Sequence, residues 1–152
     1  MATDPKTGQY IFPGATAVGP RNVGSYQVSG TPWITGSQLG FEAEVEVAFP
    51  YVSKSFTVIQ SGSHADTPQH GDLRIHFAST SSTANVINGR HYISLEANND
   101  SITFNAKCKK VYISNASSDA FSGFELFAEL TNIPTGSMWD HEGSGIDTIN
   151  GV

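Results

Sequence analysis

The chain has 152 residues, of which 14% are charged and 38% are hydrophobic. This length suits one domain with a real hydrophobic core. The formal net charge of −6 argues against a nucleic-acid-binding role, which needs clustered Lys and Arg. All of the excess negative charge lies in residues 111–152, which contain six acidic residues and no Lys or Arg. This pattern is typical of a solvated acidic face.

No apolar run approaches the length of a membrane span, and MATDPKTGQY lacks the basic and apolar regions of a signal peptide. We therefore expect no membrane association, and we expect the protein to be made and assembled in cytosol. Cys108 is the only cysteine, so no intramolecular disulfide can form, and its strand-like surroundings predict a small buried hydrophobe.

Residues 1–40 predict an extended N-terminal arm. They contain four of the seven prolines and seven of the fifteen glycines, but only three charged residues. Such a segment is too apolar for a solvated tail and too interrupted for a core element, so we expect it to bind a surface outside its own chain. Aromatic and β-branched side chains would anchor the arm to that partner: Tyr10, Ile11, Phe12, Tyr26, Val28 and Trp33.

Residues 41–132 predict a core of β-strands. In FEAEVEVAF, hydrophobic residues from Phe41 to Phe49 alternate with Glu42, Glu44 and Glu46, as in a half-buried strand. Similar short segments follow: KSFTVIQS, LRIHF, RHYISLEA, SITFNAKC and KKVYISN. The fold class is therefore all-β, with an antiparallel β-sandwich or barrel of about seven strands and extended N- and C-terminal arms.

Two further features of the predicted core follow less directly from the alternation of hydrophobic and polar residues. The apolar positions change phase between SITFNAKC and KKVYISN, which predicts a turn or bulge near Lys109 and Lys110. FELFAEL fits a strand or a short helix, and strand is the better interpretation because all of its neighbours are strands. Residues 133–152 predict a turn-rich C-terminal tail.

The densest group of titratable residues is SGSHADTPQHGD, with His64, Asp66, His70 and Asp72. These could bind a metal, but the spacing matches no zinc pattern and the composition is that of a polar hairpin loop. There is no nucleophile elbow, and the Glu residues of FEAEVEVAF are typical of a solubilising strand face. We expect no enzyme activity, no metal and no cofactor. Exposed aromatic rings such as Trp139 leave a carbohydrate-binding module as an alternative.

Five segments together resemble small structural proteins of tailed bacteriophages, particularly cyanophages and other marine phages: NVGSYQVSGTPWITG, EVAFPYVSKSFTVIQSG, LRIHFAS, INGRHYISLEANNDSITFNAKCKKVYISN and FELFAELTNIPTGSM. The resemblance spans about Asn22 to Met138. It implies a virion structural protein, most closely a capsid decoration (cement) protein that binds across subunits of the major capsid protein and stabilises the phage head.

This function implies two partners, the major capsid protein and further copies of this chain in a dimer or trimer, and a place on the capsid exterior of the virion after assembly in the host cytoplasm. Two competing hypotheses remain. One is a phage tail or adsorption component, or a free lectin-like module, that binds cell-surface glycans with Trp139 and the His64–Asp72 loop. The other is a hydrolase or metalloenzyme.

Overall fold

The computed structural model describes residues 2–3, 10–11, 30–62, 72–80, 86–87 and 90–139, the first two ranges in their backbone alone. The strands within these ranges are β1 (Ala2–Thr3), β2 (Tyr10–Ile11), β3 (Thr31–Leu39), β4 (Glu44–Ala48), β5 (Tyr51–Gln60), β6 (Leu73–His76), β7 (Ile93–Leu95), β8 (Ser101–Phe104), β9 (Lys110–Asn115) and β10 (Ser122–Pro134). One turn of 3₁₀ helix, Thr135–Ser137, follows β10. None of the helical structure in this part of the chain has the length and apolar character needed to cross a membrane.

Strands β3 to β10 form two four-stranded antiparallel sheets, while β1 and β2 pair with each other. The first sheet has the order β3-β10-β5-β8 and the second has the order β4-β9-β6-β7. In chain order, the first of these eight strands pairs with the last, the second with the next to last, and so on inward. The pairs are β3 with β10, β4 with β9, β5 with β8, and β6 with β7. This nested pairing is the topology of a jelly roll, a double-sheet β-sandwich of eight strands.

The predicted antiparallel β-sandwich is therefore confirmed. The sheets pack face to face and are not closed, so the barrel alternative is wrong. The strand interpretation of FELFAEL is also confirmed, because it lies inside β10. The predicted break near Lys109 and Lys110 coincides with residues 105–109, which are irregular and separate β8 from β9.

The core lies between the sheets and draws on alternate residues of most strands, whereas in β9 every residue from Val111 to Asn115 is buried. Along β10 the inward residues are nearly fully buried, whereas Glu125 and Phe127 between them are exposed. Three Phe rings pack together across the core, with Phe56 stacked on Phe104 at a centroid distance of 4.9 Å and Phe77 edge-on to both. From Phe124 to Leu130, side-chain alternation thus assigns each residue of β10 to the core or to the outer surface.

One predicted core residue is misplaced. Val47 and Phe49 are buried as expected, but Phe41 is 49% exposed. The alternation starts only at β4, because the chain turns at residues 41–42 and Glu42 adopts a φ of 50°. Phe41 therefore lies outside the regular strand, where the period-two pattern no longer determines its direction.

The predicted arm and tail both differ from the structure at their inner ends. Thr31–Leu39 was expected in the arm of residues 1–40, but it forms β3 of the first sheet. At the other end β10 continues to Pro134, and Met138 is buried in a small cluster with Val52 and Ile133. The core of this chain therefore includes residues on both sides of the predicted 41–132 boundaries.

The prolines and glycines that suggested an arm are compatible with an edge strand. Pro32 lies in β3, which is at the edge of its sheet, the usual place for proline in a strand. Gly36 lies so close to β10 that an added Cβ would be 2.7 Å from the carbonyl oxygen of Phe124. Both residues suit a strand that is paired on one side.

Truncation of a core side chain tests this arrangement. We expect Leu126→Ala to lower the free energy of unfolding by about 2 to 5 kcal/mol, because Leu126 is fully buried and a cavity would remain. Ile93→Ala, at an exposed position of β7, serves as the control and should change stability much less. Urea denaturation of both variants measures the difference, and equal effects would contradict the assigned core.

Candidate interaction surface

The residues predicted to anchor an arm fall into three groups in the structure. Tyr10 and Ile11 form β2, which pairs with β1. Phe12, Tyr26 and Val28 lie outside the described residues. Trp33 is described in full and lies within β3.

Trp33 packs on the core of its own chain. It lies opposite the fully buried Ala128 of β10, which directs its side chain between the sheets. Its ring meets Phe49 edge to face, with a centroid distance of 5.5 Å and an interplanar angle of 77°. Trp33 is only partly buried, but the contact shown is internal rather than with a partner.

The exposed hydrophobic residue of β3 is Ile34, which the sequence analysis did not single out. Ile34 is 73% exposed and lies directly opposite Phe127 of β10, which is 41% exposed. The two side chains share the outer face of the first sheet. The sequence contained a signal for Phe127, since the strand interpretation of FELFAEL places Phe124, Leu126 and Ala128 inward and therefore Phe127 outward.

A second apolar feature lies where the chain enters β4 and β10. Phe41 and Phe121 are 49% and 40% exposed, and their ring centroids are 4.5 Å apart. We call these two residues the aromatic pair. Single exposed hydrophobic residues are common on protein surfaces, but contacting aromatic rings at the surface are more informative about binding.

The aromatic pair is held in place by a buried side chain of β9. The amide nitrogen of Asn115 donates to the carbonyl oxygen of Gly40 at 2.9 Å and to that of Ala120 at 2.7 Å. These two residues immediately precede Phe41 and Phe121. One side chain, 2% exposed, therefore joins the two turns that present the rings.

Replacing this amide tests its role. We expect Asn115→Asp to lower the free energy of unfolding by about 1 to 3 kcal/mol, because a carboxylate cannot donate. The carbonyl of Ala120 then loses its side-chain partner, and that of Gly40 keeps only the longer bond from the N–H of Ala43, at 3.4 Å. Asn105→Asp introduces the same change at an exposed position and should be close to neutral. Thermal unfolding of the two variants at neutral pH makes the comparison, and a stable Asn115→Asp protein would contradict the assigned role.

The most connected polar network lies on the second sheet. His76 is fully buried, with Nδ1 2.7 Å from the carbonyl oxygen of Ala78 and Nε2 2.9 Å from the hydroxyl of Ser114. Because a carbonyl only accepts, Nδ1 carries the proton and Nε2 accepts from Ser114 in the neutral ring. Tyr112 stacks on the imidazole with an interplanar angle of 5°.

Glu44 extends this network. Its carboxylate accepts hydrogen bonds from the hydroxyls of Ser79 and Thr80 and from the backbone N–H of Thr80, at 2.6 to 2.9 Å. It lies 3.8 Å from Nε2 of His76. Together Glu44 and His76 tie residues 78–80 to the second sheet.

Ser114 and His76 have the spacing of a nucleophile and its base, but the arrangement suits a structural role better. The imidazole is fully buried, and both of its nitrogens have partners within the fold. Ser114 itself is only 7% exposed and lies one residue before the end of β9. Ser114 borders a cleft of about 210 Å³ that Glu44 and Thr80 also line, but His76 is not part of that lining, so a substrate would not reach the imidazole.

Acidification tests this network. Burial lowers the pKa of His76, with Arg74 adding to the effect and the contacts to Ala78 and Glu44 partly opposing it. Burial raises the pKa of Glu44, but hydrogen bonds from Thr80 and Ser79 outweigh it and the net direction is downward. In both cases the unfolded chain binds protons more readily, so acid favours unfolding.

We therefore expect stability to fall as the pH drops below about 6.5, the usual pKa of histidine, and further as Glu44 is protonated. His76→Gln should reduce the loss between pH 7 and pH 5. Urea midpoints at several pH values provide the measurement. The same pH dependence in the variant and in the wild type would contradict the assignment.

The single cysteine is buried, as predicted. Burial raises the pKa of the Cys108 thiol to about 11, and a hydrogen bond with the hydroxyl of Ser53, at 3.3 Å, opposes this only in part. A thiol with such a pKa is a poor nucleophile at neutral pH.

The possible metal site lies mostly outside the described residues. His64, Asp66 and His70 fall there, and only Asp72, which precedes β6, is described. Among the described residues no three His, Cys, Asp or Glu side chains come together as a metal site would require. The hypothesis of a metal in this loop thus remains a prediction without structural support.

In comparisons with known proteins, no family model, no curated sequence and no solved structure matches this chain.

Proposed function

We propose that the protein is a virion structural protein of a tailed bacteriophage, and that it acts as a capsid decoration protein. It binds across subunits of the major capsid protein on the exterior of the head, after assembly in the host cytoplasm. The observation that carries the proposal is the aromatic pair, an exposed apolar contact that a rigid β-sandwich presents to a protein partner.

The fold is compatible with this role but does not select it. Jelly rolls occur in viral capsid proteins and also in lectins, and one fold serves many functions. The choice therefore depends on surface chemistry and on the resemblance of residues 22–138 to phage structural proteins. A cement protein needs a stable core and a surface that other subunits can cover, rather than a catalytic centre.

The surface favours a protein partner over a glycan. Phenylalanine rings are enriched in protein interfaces, where their large area is removed from water. The aromatic pair has this character, and Asn115 fixes its position before binding, which reduces the entropy lost on association. A glycan site would instead combine an aromatic platform with polar groups that converge on the sugar.

One of the open clefts among the described residues could admit a sugar, but its lining lacks an accessible ring. The cleft has a volume of about 400 Å³ and lies at one end of the first sheet, between residues 36–38, 61–62 and 123–125. Its aromatic residue, Phe124, is only 2% exposed. Trp139 is 52% exposed, which keeps the glycan-binding or tail-adsorption function as the second candidate.

A binding assay with phage heads tests the proposal. Purified protein is added to expanded heads that lack it, and bound protein is measured after sedimentation. We expect Phe121→Ser to weaken binding by about tenfold or more, because it removes one ring of the contact. Ile93→Ser makes a similar change at an exposed residue of β7 and should bind as well as the wild type.

A deletion separates the predicted arm from the folded part. Because β3 begins at Thr31, removal of residues 1–29 leaves the first sheet complete. We expect this variant to fold but to bind heads more weakly if the arm contributes anchors. Full decoration by the truncated protein would contradict the role of the arm, whereas loss of binding in Phe121→Ser would still support the aromatic pair.

Failure of the wild-type protein to bind heads would overturn the proposal. Binding to a glycan array that is lost in Trp139→Ala would then favour the second candidate.

A further inference from the structure

We propose that two copies of this chain associate through the free edge of β3, to form one antiparallel sheet that continues across a two-fold axis. The proposal identifies the surface that joins the copies. It does not depend on capsid decoration, because it concerns the isolated protein.

Strand β3 is paired on one side only among the described residues. In the first sheet β10 lies on one side of β3, and no described strand lies on the other side. It is nine residues long, Thr31–Leu39, and thus comparable in length to the longest strands of the fold. An edge of this kind is a template for a further strand unless charge, proline or covering structure prevents it.

The hydrogen bonds of β10 show which backbone groups of β3 are available. The N–H of Ser61, next to β5, donates to the carbonyl of Gly123 at 3.0 Å, so Gly123 faces β5. Along an antiparallel strand, the N–H and C=O groups of successive residues point alternately to the neighbouring strand on one side and to the neighbouring strand on the other. The even-numbered residues of β10 therefore face β3, and the close approach of the Phe124 carbonyl to Gly36 agrees with this.

The register then assigns the residues of β3. Phe124, Leu126 and Ala128 pair with odd-numbered residues of β3, which consequently bond to β10. The even-numbered residues point their backbone groups toward the free edge, and these are Pro32, Ile34, Gly36 and Gln38. Pro32 is the one among them without an N–H, and it stands at the end of the series.

This edge suits a second copy of itself. If two copies of β3 pair antiparallel about a two-fold axis near Thr35 and Gly36, the same residues of each copy face one another. The outward N–H groups of one copy then donate to the outward carbonyl groups of the other. Three N–H groups per chain give six backbone hydrogen bonds, which lies within the range of direct hydrogen bonds seen in specific interfaces.

Charge does not oppose the pairing. Residues 22–41 contain no Asp, Glu, Lys or Arg, although the chain as a whole carries a net charge of −6. Natural edge strands are commonly protected by charged side chains, and β3 has none. The exposed Ile34 next to Phe127 adds apolar surface at the centre of the same strand, which would be covered by the second copy.

Two variants and one control test this on the full chain. Ile34→Lys places a charge on the edge of each copy, and we expect self-association to weaken by about 100-fold. Gln38→Pro removes one outward N–H without adding charge and should also weaken it. Ser101→Lys adds the same charge at an exposed position of β8, the opposite edge of the first sheet, and should have little effect.

Sedimentation equilibrium over a range of concentrations measures the association, and thermal unfolding checks that each variant folds. Hydrogen exchange adds an independent readout. The amides of Ile34, Gly36 and Gln38 should exchange slowly in the associated state and rapidly after dilution.

Other outcomes would overturn the proposal. If the wild type remains monomeric and the edge amides exchange rapidly, the edge of β3 is free and no dimer forms through it. If the wild type is monomeric but the edge amides are protected, and deletion of residues 1–29 makes them exchangeable, the edge is covered by the same chain. An oligomer indifferent to both Ile34→Lys and Gln38→Pro uses a different surface. Each result leaves the decoration proposal standing, since head binding is measured separately.

Discussion

The alternation along β10 is the constraint on which much of this structure depends. β10 pairs with β3 on one side and with β5 on the other, so its residues determine three things at once. Up to Leu130 its even-numbered side chains fill the core and its odd-numbered side chains face outward, and its backbone groups decide which residues of β3 are left at the edge. Beyond the register shift at Leu130 the pattern reverses, and Thr131 and Ile133 are the buried residues. A shift of one residue would exchange the two faces and expose Leu126 while burying Glu125.

The polar interior adds specificity to this hydrophobic framework. Asn115 joins two turns that are distant in sequence, and the Glu44–His76 network ties residues 78–80 to the second sheet. Burial of these groups is tolerated because their hydrogen-bonding partners are supplied within the fold. The consequence for function is that the aromatic pair is presented on fixed turns rather than on a free loop.

The two proposed interfaces use different parts of the chain. The aromatic pair lies at the turns that lead into β4 and β10, whereas the free edge runs along β3. Each aromatic pair adjoins the Leu39 end of its β3, so an antiparallel dimer through β3 would place the two pairs at opposite ends of the shared edge. Such an arrangement suits a protein that links neighbouring subunits of a shell, because two equivalent contacts strengthen binding when both are engaged.

Local pattern was sufficient for the class of fold. Alternation in FEAEVEVAF and in the later segments predicted strands, and the change of phase before KKVYISN predicted the break between β8 and β9. These features depend only on residues close together in the chain and on the two-residue repeat of side-chain direction in a strand, so the sequence alone shows them. For the same reason the outward direction of Phe127 follows once FELFAEL is taken as a strand.

Other features required the partner of each strand to be known. TPWITGSQL contains Pro32 and Gly36 and reads as an irregular arm, yet it is a strand because β10, some 90 residues later, supplies its hydrogen bonds and Ala128 faces Trp33. The exposure of Phe41, the bridge made by Asn115 and the free edge of β3 are likewise decided by contacts between distant segments. The sequence by itself determined that this chain forms strands with one buried face, since alternation is a local property. Tertiary structure decided which strands are neighbours and which side chains and backbone groups remain available to a partner, because pairing depends on residues that are adjacent only after folding.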